Sequence, residues 1–186
     1  MPRYIFGRLI AAAVVVSCVC SAPPTLAAPL GQVEQACFVP QDNCTDLVVS
    51  EIEAAHTQIL VQAYSFTSRE IAAALVRAHK RGVEVQAILD KSQPKARGGK
   101  AKYLARSGIP VFIERMPGIA HNKIMVIDGQ TVLTGSFNWT RSAQARNSEN
   151  LVVIRGRDAA AEYAASWQRN LEISKPLKIR RRIKED

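Results

Sequence analysis

The sequence predicts an α/β fold, a sandwich in which helices flank a mixed β-sheet. Strand-like and helix-like segments alternate through the first half of the chain. In the second half, Asp128-Gly129 separates two apolar runs, which is a typical β-hairpin signature. Alternating strands and helices favour parallel pairing, whereas a hairpin adds antiparallel strands, so the sheet is expected to be mixed.

The first half of the chain carries helix boundary signals at regular intervals. Asp42 or Asn43 can cap a first helix, and Thr67 or Ser68 a second, which Gly82 ends. Between the helices lie short apolar segments rich in β-branched residues, as expected of buried strands. The predicted elements, in chain order, are a helix after residue 43, a strand over 59–66, a helix over 71–80, a strand over 83–89, a helix over 95–107 and a strand over 109–113.

The second half begins with the hairpin. Lys123 to Ile127 and Thr131 to Thr134 are its predicted strands. Leu151 to Ile154 is predicted to be a further strand, and Asp158 to Leu171 an amphipathic helix. One domain of about 150 residues fits these elements and can bury a core.

The N-terminus has the order of parts of a secretory signal. Arg3 and Arg8 precede an apolar run from Leu9 to Val19, and small residues follow. We therefore divide the chain into a signal peptide over 1–27, a folded domain over 28–174 and a basic tail over 175–186. An exported protein, periplasmic or secreted, is expected. A retained anchor and lipid attachment at Cys18 are the alternatives.

Two cysteines remain after the signal, Cys37 and Cys44. An even pair in an exported chain favours a disulfide over two buried free thiols. Zinc binding is poorly supported, since two cysteines cannot supply four ligands and no histidine pair lies near them.

The chain is basic. Its formal charge is +9, and removal of Arg3 and Arg8 leaves +7. This balance favours a polyanionic partner, either nucleic acid or, in a weak association, an anionic membrane surface, although solubility alone is a simpler reason for it. The basic tail over 175–186 has two equally supported interpretations: a segment that binds phosphate backbones electrostatically, or a solvated chain end.

Three histidines are present, and one of them has neighbours suited to chemistry. His56 and His79 fall near helix C-termini, where they interact with the helix dipole. His121 and Lys123 are two residues apart at the start of a predicted strand, so their side chains point to the same face. The hairpin returns Gly135-Ser136-Phe137-Asn138 to the same place. An imidazole, an ammonium, a hydroxyl and a carboxamide together suit phosphoryl transfer.

These residues resemble the H-x-K-x4-D-x6-G-S-x-N motif of the phospholipase D superfamily, at every spacing. From Cys37 to about Leu171 the chain is similar to the small bacterial exported endonucleases of that superfamily. Further points of similarity are Tyr64-Ser65-Phe66-Thr67 and Asn147-Ser148-Glu149-Asn150. The resemblance implies a phospholipase D-like α/β sandwich.

The resemblance also implies a mechanism. His121 attacks phosphorus and forms a phosphohistidine, and the His121 of a second copy protonates the leaving oxygen, because each chain has one motif. Lys123 and Asn138 from both chains hold the non-bridging oxygens, and Ser136, after Gly135, supports them or fixes the loop. Cationic side chains neutralise the charge, so no metal and no cofactor are expected.

Two acids are assigned with the motif. Glu149 is the candidate acceptor of the His121 Nδ1 proton, with a plain surface carboxylate as the alternative. Asp128 belongs to the motif, but in an Asp-Gly turn it is expected to hold the hairpin through an Asx-type bond.

Three functions compete. The first is a nonspecific endonuclease acting at a homodimer interface on DNA, with RNA as a second candidate substrate. The second is a phospholipid phosphodiesterase, which the absence of a second motif and of a long amphipathic insertion disfavours. The third is a nucleic-acid-binding module with a degenerate site, which the intact His121, Lys123 and Asn138 disfavour.

Overall fold

One eight-stranded sheet organises the computed structural model, which describes residues 30–179. The strand order is β1-β7-β6-β5-β2-β3-β4-β8. Strands β2, β3 and β4 are parallel and every other pair is antiparallel, so the predicted mixed sheet is confirmed. The strands are β1 (Gln32–Val39), β2 (Gln58–Ala63), β3 (Glu84–Leu89), β4 (Val111–Glu114), β5 (Lys123–Ile127), β6 (Thr131–Gly135), β7 (Glu149–Arg155) and β8 (Ser174–Pro176).

Five α-helices flank the sheet among the described residues, and the first two begin at cap residues that the sequence predicted. The side chain of Asn43 accepts from Asp46 N at the first helix, and that of Ser68 from Ile71 N at the second. The helices are α1 (Cys44–Glu53), α2 (Arg69–Lys80), α3 (Ala101–Arg106), α4 (Arg141–Arg146) and α5 (Arg157–Glu172).

The sheet is covered on both faces. Along β2, Ile59 and Val61 belong to the core that includes α1 and α2, whereas Leu60 belongs to the core beneath α5. Trp167 of α5 is buried there, and its indole N–H donates to Val61 O at 2.9 Å. Burial on both faces explains why the central strands carry consecutive apolar residues rather than alternating ones.

Some elements differ from the prediction. The helix expected over 95–107 is shorter, because a 3₁₀ turn (Gln93–Lys95) and a left-handed Gly98 at φ 75° come first. Strand β1 and helix α4 were not predicted. Lys175 and Pro176, assigned to the tail, belong instead to β8, which pairs with β4. The rest of the tail beyond residue 179 lies outside the described residues.

The predicted disulfide between Cys37 and Cys44 is confirmed, with an S–S distance of 2.02 Å. Both cysteines are buried, and the bond joins β1 to the first residue of α1. The proposed signal peptide over 1–27 lies outside the described residues. Within residues 30–179, no helix is long and apolar enough to cross a membrane.

Four adjacent strands present their ends at one edge of the sheet, here called the catalytic edge. Strand β2 ends there at Ala63, and β5 begins there at Lys123, its partner in the register. Strand β6 ends there at Gly135, and β7 begins there at Glu149. Residues far apart in sequence therefore meet because neighbouring antiparallel strands place alternate ends together.

Candidate active site

Lys123 is a buried lysine at the catalytic edge, with only 6% of its surface exposed. Its Nζ donates to His121 O at 2.7 Å and lies 5.2 Å from the centroid of the Tyr64 ring. Burial lowers the pKa of Lys123, while the nearby charge of Glu149 acts in the opposite direction and raises it. The ammonium is thus held in place and partly desolvated, which strengthens its attraction for an anion.

His121 is exposed and lies directly before β5. Its ring centroid is 4.6 Å from that of Tyr64, with the two planes tilted by 56°. Tyr64 is fixed in turn, because its N–H donates to Asn122 O at 2.9 Å. One aromatic ring therefore contacts both the imidazole and the ammonium, and it limits the positions that His121 can adopt.

Asp90 positions the segment before His121. Its carboxylate accepts from Ser92 N at 2.8 Å and from Ala120 N at 2.9 Å, and the residue is buried. Burial by itself raises the pKa of Asp90, but the hydrogen bonds from Ser92 and Ala120 and the charge of Lys91 outweigh it, so the pKa is lowered. Asp90 is therefore an ionised anchor for the loop that carries the imidazole.

Glu149 and Ser136 are joined directly. Ser136 Oγ donates to Glu149 Oε2 at 2.5 Å, and Asn147 Nδ2 donates to Oε1 at 2.7 Å. Ser136 Oγ also accepts from Asn150 N at 3.0 Å. Within the described single chain, no hydrogen bond joins Glu149 to His121, so the role of Glu149 as Nδ1 acceptor stays a prediction.

The close approach of β6 to β7 requires a glycine at position 135. A Cβ there would lie 2.3 Å from Asn150 O, and φ is 154°. Any side chain would push the two strands apart and displace the Ser136–Glu149 pair. Gly135 thus supports the site through the backbone alone.

Asn138 is half-buried beside two fully buried rings. Its Oδ1 is buried and accepts no hydrogen bond from any described residue. Phe137 and Trp139 are both 0% exposed and therefore pack in the core. Packing of the two rings fixes the backbone on both sides of Asn138.

Asp128 lies at the other end of β5, five residues from Lys123, a separation of about 16 Å along a strand. Its carboxylate accepts from His56 N, Thr57 N, Thr57 Oγ1 and Gln58 N at 2.8–3.0 Å. The expected structural role is therefore supported, but the contacts are with the α1–β2 loop rather than within an Asx turn. Burial raises its pKa, yet the hydrogen bonds from Gln58, His56 and Thr57 dominate and lower it.

We expect Asp128→Ala to reduce the free energy of unfolding by about 1–2 kcal/mol at neutral pH, because four donors of a partly exposed loop lose a charged acceptor. The lowered pKa means that Asp128 stabilises the fold above its unfolded-state pKa, and that this contribution is lost as the pH falls through the folded-state value. Urea unfolding at neutral and acid pH should show the gap between variant and wild type shrinking in acid. Unchanged stability together with lost turnover would instead indicate a catalytic Asp128.

The other two histidines lie away from the catalytic edge. His56 follows α1, and its backbone N–H donates to Asp128. His79 lies in the last turn of α2, as predicted. Among residues 30–179, no group of three or more His, Cys, Asp or Glu side chains could hold a metal ion.

Sequence reasoning passed over three residues of the site. Tyr64 belonged to a stretch of similarity but was given no role, although it contacts both motif side chains. Asp90 directly follows a buried strand, a position that could have indicated an anchor at the carboxyl end of a sheet. Asn147, three residues before Asn150, could not be assigned without the contact that it makes with Glu149.

Together, these side chains offer a reactive imidazole and the charge to stabilise a pentacovalent phosphorus. His121 is exposed and can reach a substrate, and Lys123 lies beside it as a fixed cation. Ser136 and Asn138 add neutral polar groups at the end of the adjacent strand. Such an arrangement suits nucleophilic catalysis on a phosphodiester.

Comparison with known proteins gives the same result. The family described as "Cardiolipin synthase, PLD-like domain" matches residues 48–171. Phospholipase D of Rickettsia felis is 42% identical over 131 residues, covering 70% of this chain and 66% of that protein. The aligned region thus spans just under two thirds of that relative.

Solved structures agree on the fold. The crystal structure of Nuc from Salmonella typhimurium, a phospholipase D family member, matches with a TM-score of 0.75 and 38% identity, over 80% of this chain and 99% of that one. NucT from Helicobacter pylori matches with a TM-score of 0.73 and 24% identity, over 77% and 98% of the two chains, which shows a shared fold. With the motif of His121 and Lys123 at the catalytic edge of this sheet, the chain belongs to the phospholipase D superfamily of phosphodiesterases and is an enzyme of that kind.

Proposed function

We propose that the protein is a metal-independent, sequence-nonspecific endonuclease that hydrolyses DNA, with RNA as a second substrate, through a phosphohistidine at a homodimer interface. The observation that carries this proposal is the exposed imidazole of His121 beside the buried ammonium of Lys123. The basic balance of the chain favours a polyanion as substrate. The resemblance to small bacterial endonucleases points to nucleic acid.

The reaction has two steps. In the first, Nε2 of His121 attacks phosphorus, the P–O bond to the leaving nucleoside breaks, and the partner subunit's His121 gives its proton to the leaving oxygen. In the second, water attacks the phosphohistidine, and the same partner imidazole accepts a proton from it. The P–N bond breaks, and both histidines return to their starting states.

Charge builds on the non-bridging oxygens in both steps. Lys123 and Asn138 from the two chains would hold these oxygens. Ser136, tied to Glu149 at 2.5 Å, would keep the end of β6 in place beneath them. Glu149 would also set the His121 tautomer by accepting its Nδ1 proton in the assembled dimer.

A homodimer is proposed because one chain supplies one imidazole and the reaction uses two. Exposed apolar side chains near the catalytic edge support self-association there. Met116 and Ile119, in the segment before His121, are 42% and 54% exposed. Phe38, whose register partner Asn150 lies beside Ser136, is 53% exposed. Apolar surface of this kind is typical of contact regions.

We propose export to the periplasm or the medium. The support is the signal-like order of residues 1–27 and the Cys37–Cys44 disulfide, a bond typical of oxidising compartments. Weak association with an anionic membrane surface would follow from the same basic charge.

A phospholipid phosphodiesterase is the second candidate. The observation that favours it is the name phospholipase D carried by the Rickettsia felis relative, which is 42% identical in the aligned region. Both candidates use the same phosphodiester chemistry, so they differ in what surrounds the reacting phosphate rather than in the motif.

A single comparison separates the candidates. Supercoiled plasmid and vesicles of a labelled anionic phospholipid are incubated with the protein in excess chelator. We expect nicked and then linear DNA, because Lys123 supplies the positive charge that a metal would otherwise supply. Release of the labelled head group with intact plasmid would establish the lipid activity instead. Retention of DNA without turnover of either substrate would indicate a binding module.

A further inference from the structure

We infer that a basic groove beside β8 binds the phosphodiester backbone of the nucleic acid at a distance from the scissile bond. The inference rests on the proposed nuclease function and deepens it by assigning a substrate-binding surface. The groove has a volume of about 570 Å³ and lies against the outer strands β4 and β8. Its lining residues are Lys91, Pro94, Lys95, Ile113, Arg115, Lys175, Pro176, Leu177 and Lys178.

Among residues 30–179, the groove is lined by five cations and by no acidic residue. Lys95, Arg115, Lys175 and Lys178 are exposed, and none of them forms an ion pair or a side-chain hydrogen bond with any described residue. Two acids adjoin groove residues in sequence, Glu114 and Asp90, and both are buried. The Glu114 carboxylate accepts from Gln62 at 2.9 Å, and that of Asp90 accepts from Ser92 N and Ala120 N. The charges of the four exposed cations therefore face solvent without an ion-pair partner among the described residues.

Three arginines elsewhere in the described residues are neutralised by ion pairs, whereas Lys95, Arg115, Lys175 and Lys178 are not. Arg77 and Arg81 both pair with Glu53. Arg155 pairs with Glu34 and Glu51. Exposed cations gathered in a concave surface with no counter-charge repel one another, and a bound polyanion would relieve that repulsion.

The groove opens on the catalytic edge. Lys91 and Lys95 follow the carboxyl end of β3, and Arg115 follows that of β4. Strands β2, β3 and β4 are parallel, so these ends lie at the same edge as Tyr64 and His121. Lys175 pairs in register with Ile113 near that edge, and Lys178 continues the groove along β4.

The spacing suits a nucleic-acid chain. Four strand intervals separate β5, which carries Lys123, from β8, a distance of about 19 Å. With about 3.4 Å per nucleotide along a duplex, the groove would contact the backbone about five or six nucleotides from the cleaved bond. Such contacts position any sequence equally, as a nonspecific nuclease requires.

The shape favours a linear polyanion over a membrane. A groove encloses a chain of phosphates and lets cations approach it from two sides. A bilayer surface instead contacts protruding basic and apolar side chains. Three of the four apolar lining residues, Ile113, Pro94 and Leu177, are buried or half-buried, and only Pro176 is exposed, whereas the lysines lie at the surface.

The test is a charge-removal variant, Lys95→Gln with Lys175→Gln and Lys178→Gln. Its matched control is Lys80→Gln with Arg106→Gln and Arg157→Gln, which removes the same charge from exposed positions at the opposite edge. Binding to a duplex oligonucleotide in chelator is measured against salt concentration, together with plasmid cleavage. Hydrolysis of bis(p-nitrophenyl) phosphate, which is too small to reach the groove, reports on the catalytic edge alone.

We expect the groove variant to bind DNA about tenfold or more weakly and to lower the slope of log K against log salt by about 2–3, since each phosphate contact contributes nearly one unit. Hydrolysis of the small ester should be unchanged in both variants, and the control variant should bind DNA nearly as wild type does. Equal losses of DNA affinity in the two variants, or no loss of DNA affinity in the groove variant, would overturn the inference. Either result would leave the nuclease activity established.

Two further results separate this inference from the proposed function. If the wild-type protein hydrolyses the small ester but cleaves no DNA, the nuclease proposal fails and the groove assignment fails with it. If the groove variant loses binding to anionic phospholipid vesicles while it retains full DNA affinity, the groove serves a membrane and the inference is overturned.

Discussion

Replacing His121 by alanine should lower the rate of DNA cleavage by about 10⁴–10⁶-fold, the loss expected when a covalent nucleophile is removed. The variant should still retain DNA, because the cations of the groove are untouched. Acid quenching of the wild-type protein with a labelled substrate should trap a phosphorylated chain, and the variant should yield none. Gel assays of cleavage and filter retention measure the two properties separately.

His56→Ala is the matched control. The His56 side chain is exposed and its contact with Asp128 is made by the backbone, so the control should cleave at the wild-type rate. Mixed dimers of wild type and His121→Ala should be nearly inactive, because the two steps need both imidazoles. Full cleavage by the homodimeric His121→Ala variant would refute the nucleophile, and half activity in mixed dimers would refute a shared site.

Lys123→Met should lower kcat by about 10²–10³-fold, since it removes a fixed charge next to the reacting phosphate. Methionine keeps most of the buried volume, and the loss of a desolvated ammonium should leave the melting temperature unchanged or raised. Lys123→Arg should recover little of the lost kcat, because a planar guanidinium cannot replace the compact ammonium between Tyr64 and the His121 carbonyl. Wild-type activity in Lys123→Met would exclude the assigned role.

The pH profile gives an independent test of Lys123. Burial lowers its pKa, so the charged form is lost at a lower pH than in free lysine, and activity should fall on the alkaline side correspondingly early. Glu149 raises that pKa, so Glu149→Gln should lower it further. The alkaline limb of the rate profile should then move to lower pH. A movement to higher pH would contradict this electrostatic account.

The fold and the identity of the motif residues could be predicted to a large extent from the sequence. Apolar runs with cap residues such as Ser68 define the helices and strands locally, and the Asp128-Gly129 turn defines the hairpin. Short elements were missed, because the six residues of α4 and the mostly exposed strand β1 have little apolar periodicity. Strand β8 was missed because Ser174–Pro176 has no apolar pattern of its own, and it forms a strand only by pairing with β4.

The sequence alone determined features that depend on near neighbours. These are the longer helices and strands, the disulfide pair, and a motif whose spacing brings His121 and Lys123 together with the end of the hairpin. Only the tertiary structure decided which side chains contact one another. It paired Ser136 with Glu149, placed Tyr64 against the imidazole, and gathered Lys95, Arg115 and Lys178 in one groove. The physical reason is that periodicity and capping act between near neighbours, whereas strand order joins residues that no local pattern relates.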